Sequence, residues 1–220
     1  MQTDRSAFLA LGYTGAFRTE DYPDWHRGRR TYAVWVLELV EPDILAYMQR
    51  IQSYFDDLCV HPYRRQPHVT VFVSGFVAAC RQWEDDYTPA QYEAQCQRLR
   101  QLALPTFAMT LGAINSFAHA LYLEVHDQQG GIAAVRQTLQ EVMPELRWGP
   151  YVPHVTLGMY REASATDDVV QRIERCPLTR AIHTQVTQVT LATYTAQEHL
   201  GPLHTRYTHA LRVRQEGAEA

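Results

Sequence analysis

The chain has 220 residues, 46% of them hydrophobic, and a net charge of −4. That is enough apolar material for one large domain and argues against wholesale disorder. The acidic balance argues against a long nucleic-acid duplex as partner, whereas a small phosphate-bearing ligand needs only a local positive pocket. No apolar run approaches the length of a membrane span.

In chain order, residues 1–30 read as an N-terminal extension, and His26-Arg27-Gly28-Arg29-Arg30 within it as a solvated loop. Met1 to Ala10 lack the basic start and long apolar run of a secretory leader. Cys59, Cys80, Cys96 and Cys176 form no Cys-x-x-Cys pair, which points to reduced thiols in a cytoplasmic protein. Tyr32 to Val40 is rich in β-branched and aromatic residues and predicts a strand. Pro42 suits a first helical turn, and Ile44, Tyr47, Met48, Ile51 and Phe55 continue at helical spacing. A strand carrying His68 follows. Thr88-Pro89 opens a polar helix to Leu102, inside an insertion over residues 79–101. Phe107 to Phe117 predicts a strand interrupted at Gly112, and Ala120 to His126 another. After Gly130-Gly131, Ile132, Val135 and Leu139 mark a helix, and a strand carrying His154 follows. Asp167 to Arg175 predicts a short helix, and Val186 to Tyr194 a strand. Residues 213–220 read as a tail.

A repeat underlies this order. Pro67-His68-Val69-Thr70-Val71 returns as Pro153-His154-Val155-Thr156-Leu157, an offset of 86 residues. Leu37-Glu38-Leu39 and Leu123-Glu124-Val125 share that offset. Each copy, about 31–75 and 117–160, reads strand, helix, strand, with His-x-Thr on the second strand. Side chains two apart in a strand share a face. His68, Thr70 and Phe72 are therefore expected on one face with Val69, Val71 and Val73 on the other. Likewise His154, Thr156 and Gly158 should oppose Val155, Leu157 and Met159.

The aliphatic faces belong in a core, so the His/Thr faces must look into a polar space. If the repeat is structural, a pseudo-twofold axis brings two imidazoles and two hydroxyls around one centre. Such a set suits phosphodiester cleavage. One imidazole takes a proton from the attacking oxygen, and the other gives one to the leaving oxygen. The hydroxyls of Thr70 and Thr156 can donate to the non-bridging oxygens. This chemistry needs neither metal nor cofactor. No His-Glu-x-x-His, P-loop or Gly-x-Ser-x-Gly motif is present.

The paired Pro-His-Val-Thr words resemble those of the two-histidine (2H) phosphoesterase superfamily, in its 2′-5′ RNA ligase-like and cyclic phosphodiesterase branch. The likeness covers roughly residues 31 to 196. It implies an α+β, bilobal fold of pseudo-twofold symmetry over residues 31–212, with two antiparallel sheets forming a central cleft and helices outside. It implies His68, Thr70, His154 and Thr156 as catalytic residues. It also implies His68 as acid and His154 as base when a cyclic phosphate is opened, although near-symmetry makes the roles exchangeable. The N-terminal extension, the 79–101 insertion and the acidic balance depart from the RNA-specialised members and turn attention to small nucleotides or an RNA terminus. Phe72 and Tyr151 are candidate stacking residues, and Arg64, Arg65 and Arg161 candidate phosphate contacts. Two readings stay open beside hydrolysis: RNA ligation by the reverse reaction, and a nucleotide-binding module with little turnover.

Overall fold

The computed structural model describes residues 5–20, 22–146 and 149–213. The tail lies outside the described residues from residue 214 on, as do residues 1–4. Along the chain the elements are α1 (Arg5–Leu9), α2 (Tyr22–His26), β1 (Thr31–Glu38), α3 (Pro42–Tyr54), β2 (His68–Val77), β3 (Asp86–Tyr87), α4 (Pro89–Leu102), β4 (Phe107–Ser116), β5 (Ala120–His126), α5 (Gly131–Gln140), β6 (His154–Met159), α6 (Thr166–Glu174), β7 (Ile182–Val186), β8 (Gln188–Thr195) and β9 (His204–Ala210). The helix signals work as expected. Pro42 stands in the first turn of α3. Thr88 and Gln91 form a capping box at α4, with the Thr88 amide donating to Gln91 Oε1 over 2.9 Å.

The strands pair in the order β7-β4-β5-β6-β2-β1-β8-β9, with the short β3 on β2. Two four-stranded antiparallel lobes, β7-β4-β5-β6 and β2-β1-β8-β9, therefore meet where β2 and β6 pair at Val69 and Val155. The cleft has its two antiparallel sheets, joined edge to edge. β7 and β9, the outermost strands, went unread in the sequence. The burial pattern of β9 is exposed and intermediate throughout, so it carries no apolar alternation.

The repeat is structural down to the register. Glu38 pairs with His68 and Glu124 with His154; Val36 pairs with Thr70 and Tyr122 with Thr156. Both ladders then slip by one residue at equivalent places, leaving Val71 and Leu157 as the extra residues of two β-bulges. A bulge sends two consecutive side chains to one face, and this corrects the simple alternation. Phe72 pairs with Trp35 and is fully buried beside Val69 and Val71 in the main core. It is no substrate contact. Gly158 likewise faces the core, where a Cβ would lie 2.6 Å from Cys59 Sγ. Val73 moves to the opposite face, against Val34, Val36 and Phe76.

The main core fills the space between the sheet and α3 to α6, around Trp35, Ile51, Leu99, Leu111, Leu121, Val135 and Val169. Trp35 Nε1 and Tyr87 Oη both donate to Gln95 Oε1 at 2.8 Å, tying α4 to the sheet. The helices cross between repeats. Gln52 of α3 donates to the Leu157 carbonyl at 2.9 Å, and Arg136 of α5 donates to the Val71 carbonyl at 2.6 Å. Each bulge carbonyl is thus held by a helix of the other repeat.

The N-terminal extension is built into the fold. The amides of Gly15 and Phe17 donate to the carbonyls of Ala118 and Tyr160, both at 2.7 Å, on the second lobe. The chain then crosses to the first lobe, where Trp25 packs on Tyr32 and Phe76. Arg29, expected in a solvated loop, is instead largely buried. It lies over the Phe76 ring and bonds Asp85 and Asp86 of the 79–101 insertion at 2.6 and 2.8 Å. Burial alone would raise the Asp86 carboxyl, but Arg29 and the amides of Gln82 and Trp83 outweigh it and hold the group below the ordinary carboxylate range. A depressed carboxylate stabilises the fold above its unfolded pKa and loses that contribution as pH falls through its folded one. Arg29→Met is expected to cost about 3 kcal/mol at neutral pH in urea unfolding, because it strands a buried charge. The difference from wild type should shrink as the pH falls below the ordinary carboxylate range.

Candidate active site

The pairing of Val69 with Val155 places His68 beside Thr156 and Thr70 beside His154, all four on the face opposite the main core. The two strands show one burial pattern over these positions, His and Thr half-buried and the aliphatic residues between them buried. The two imidazoles stand on a diagonal across the strand pair.

Each imidazole is oriented by its own chain. His68 Nδ1 lies 2.7 Å from the Gln66 carbonyl, and His154 Nδ1 lies 2.7 Å from the Val152 carbonyl. A carbonyl only accepts, so Nδ1 carries the proton and, in the neutral ring, Nε2 carries the lone pair. The proline between each carbonyl and its histidine favours the extended backbone that brings them together.

The surroundings of the two rings differ. Burial pushes the His68 imidazole down to about 4, and the positive charges of Arg65 and His154 act in the same direction, against the Gln66 carbonyl. His68 is therefore neutral at pH 7 in the free protein. His154 stands edge-to-face with Phe117 at 4.8 Å between centroids, and Phe117 stacks on Tyr122 at 4.0 Å.

The other sequence candidates separate. Arg65 belongs to the site's field. Its guanidinium lies over Tyr194 and donates to the carbonyls of His199 and Gly201, close enough to His68 to lower its pKa. Arg64 turns away into an exposed ion pair with Glu198. Arg161 donates to the Asp57 carbonyl at the far end of β6, about 23 Å along the strand from His154. It is too distant to serve the centre. Tyr151 is a brace. Its hydroxyl donates to the Thr70 carbonyl at 3.0 Å, and its ring lies under Arg136. Phe117, Tyr122 and the pair Glu38 and Glu124 were missed as site residues. The two carboxylates stood in the 86-residue repeat, and each accepts a matching bond, Glu38 from Thr190 and Glu124 from Asn115, both at 2.9 Å. Among the described residues no three His, Cys, Asp or Glu side chains converge to hold a metal ion, and no helix is long and apolar enough to cross a membrane.

A family model described as the 2′-5′ RNA ligase superfamily matches residues 40–198, well over half of the chain. The chain belongs to the 2′-5′ RNA ligase superfamily, the 2H phosphoesterases. A search of curated proteins finds no match. Solved structures with this fold include E. coli LigT, with a TM-score of 0.55 and 14% identity over 84% of this chain and 99% of that one. TT0787 of Thermus thermophilus matches with a TM-score of 0.52 and 14% identity, over 84% and 100% of the two chains. E. coli LigT complexed with 3′-AMP matches with a TM-score of 0.52 and 15% identity, over 83% and 99%. This 2H phosphoesterase carries its two His-x-Thr repeats on the paired strands β2 and β6.

Two outcomes test this electrostatic picture. The His68 Cε1 proton should titrate in NMR with a midpoint near 4, and Arg65→Gln should move that midpoint upward, because removing a cation favours the imidazolium. A buried neutral histidine also destabilises the fold as pH falls from its unfolded pKa toward its folded one. Urea-measured stability should therefore depend less on pH between 6.5 and about 4 in His68→Gln than in wild type.

Proposed function

We propose that this 2H phosphoesterase hydrolyses a 2′,3′-cyclic or 2′-linked phosphodiester of a nucleotide or RNA terminus by paired histidine acid–base catalysis. The observation that carries this reading is the diagonal pair of imidazoles, each with Nδ1 committed to a backbone carbonyl, beside two threonine hydroxyls. The E. coli LigT complex with 3′-AMP concerns another protein, and it is in keeping with a nucleotide as ligand here.

In the reaction one neutral imidazole accepts a proton from water at Nε2 as the water oxygen bonds to phosphorus. The second, as imidazolium, donates its Nε2 proton to the 2′ or 3′ oxygen as that P–O bond breaks. The products are a phosphomonoester and a free hydroxyl. Thr70 and Thr156 donate to the non-bridging oxygens as their charge grows. Arg65 adds positive potential without spending more of its own donors. The depressed pKa of His68 suits it to the base, which leaves His154 as the acid. This assignment reverses the roles that the resemblance implies.

Hydrolysis of 2′,3′-cyclic AMP and 2′-5′-linked oligoadenylate in excess EDTA tests the reading. Turnover should survive EDTA and fall about 10³-fold in His68→Ala and in His154→Ala. Clean nucleotide binding with no turnover of any substrate would replace hydrolysis by the binding-module reading. The roles are tested with a nitrophenyl phosphodiester, whose leaving oxygen needs no general acid. With His154 as acid, His154→Ala should cost at least tenfold less on this substrate than on 2′,3′-cyclic AMP, while His68→Ala costs the same on both. The opposite pattern would return His68 to the acid role.

A further inference from the structure

At the end of β6 away from His154 the N-terminal extension walls a cavity of about 530 Å³, lined by Ala16, Phe17, Arg18, Tyr22, Trp25, His119 and Met159. Phe17, Tyr22 and Trp25 are only half-buried there, and Arg18 and His119 are exposed. The cavity joins the two lobes. Tyr22 and Trp25 lie over the first, and His119 and Met159 belong to the second. Met159 follows Thr156 by three residues on β6, and the bulge at Leu157 returns it to the His/Thr face. Its backbone is about 10 Å from that of Thr156. The cavity is thus within a nucleotide or two of the reacting centre.

We infer that this cavity is a nucleobase subsite of the phosphodiesterase, an inference that rests on the proposed hydrolysis of a nucleotide phosphodiester. The chemistry of the lining supports a planar aromatic guest. The three rings stand at 49° and 82° to their neighbours, Phe17 to Tyr22 and Tyr22 to Trp25, so they present both faces and edges. One face of Tyr22 is already taken by His199, at 3.5 Å between centroids, which fixes the ring for a guest. Base–aromatic stacking accepts any base, because every base has a π-face. Arg18 forms no ion pair with the described residues and adds a guanidinium that stacks or meets a phosphate.

The wall is pre-formed. The amides of Gly15 and Phe17 anchor it to the second lobe, and Arg29 with Asp85 and Asp86 anchors it to the first. At Gly15 the fit is close, since a Cβ there would lie 2.0 Å from the His119 ring. A pre-formed aromatic wall binds without the ordering cost of a flexible segment. A base reaches the cavity from either of two sources, the ribose that carries the cyclic phosphate or the neighbouring nucleotide of an RNA end.

The test uses three cyclic phosphates: ribose 2′,3′-cyclic phosphate without a base, 2′,3′-cyclic AMP, and a diadenylate ending in a 2′,3′-cyclic phosphate. The inference expects kcat/KM to rise at least tenfold either from the first to the second or from the second to the third, and the step that rises names the source of the base. That ratio should collapse in Ala16→Phe, which fills the cavity, and in Tyr22→Ala, which removes a ring. A ratio is insensitive to the fraction of folded protein, and circular dichroism confirms that each variant folds. The absence of both steps, or a step that persists in both variants, would overturn the subsite. Calorimetry with 5′-AMP and ribose 5-phosphate separates this result from failure of the hydrolytic reading. If no substrate turns over, AMP binding at least tenfold tighter than ribose 5-phosphate, lost in Ala16→Phe, keeps the subsite and rejects hydrolysis alone. Equal binding of the two rejects the subsite.

Discussion

Two β-bulges, at Val71 and Leu157, are the constraint on which the site depends. Each allows a strand to present His and Thr to the cleft and then send two consecutive residues into the core. Without the extra residue, Phe72 would follow His68 and Thr70 into the cleft and Val73 would take its place in the core. A bulge leaves a carbonyl outside the ladder, and a buried carbonyl needs a donor. Gln52 and Arg136 supply one each, from helices that belong to the opposite repeat. The two halves therefore hold each other's His-x-Thr strands, although the strands themselves pair only at Val69 and Val155.

Symmetry of backbone does not extend to chemistry. The same carbonyl, at the same 2.7 Å, sets the tautomer of both histidines. Around that shared geometry the first lobe places Arg65, and the second places Phe117 and Tyr122. Burial and a nearby cation both disfavour a positive charge on His68, so the duplicated strand of the first lobe holds its imidazole neutral.

The extension and the insertion are one feature, although the chain separates them by some fifty residues. Arg29 closes them together against two aspartates, and its guanidinium covers an aromatic ring that the cleft face would otherwise expose. The wall they make narrows one side of the cleft.

Much of the site was legible before any coordinate. The 86-residue offset tied His68 and Thr70 to His154 and Thr156, because a duplicated strand keeps its register and so its words. The superfamily and the α+β class followed from the resemblance carried by the paired Pro-His-Val-Thr words, and most strands and the helix starts at Pro42 and Pro89 from periodicity and end signals, which are local. What lay beyond reach was non-local. A bulge is set by the partner strand, so Phe72 looked like a cleft residue until its pairing with Trp35 was known. Arg29 read as solvated, because its aspartates are distant in sequence, and Tyr151 read as a stacking group, because its partners Thr70 and Arg136 come from elsewhere. The sequence by itself determined which residues repeat and therefore which chemistry is available. Only the tertiary structure decided which side chains share a face, since that depends on ladders and cores assembled from distant segments.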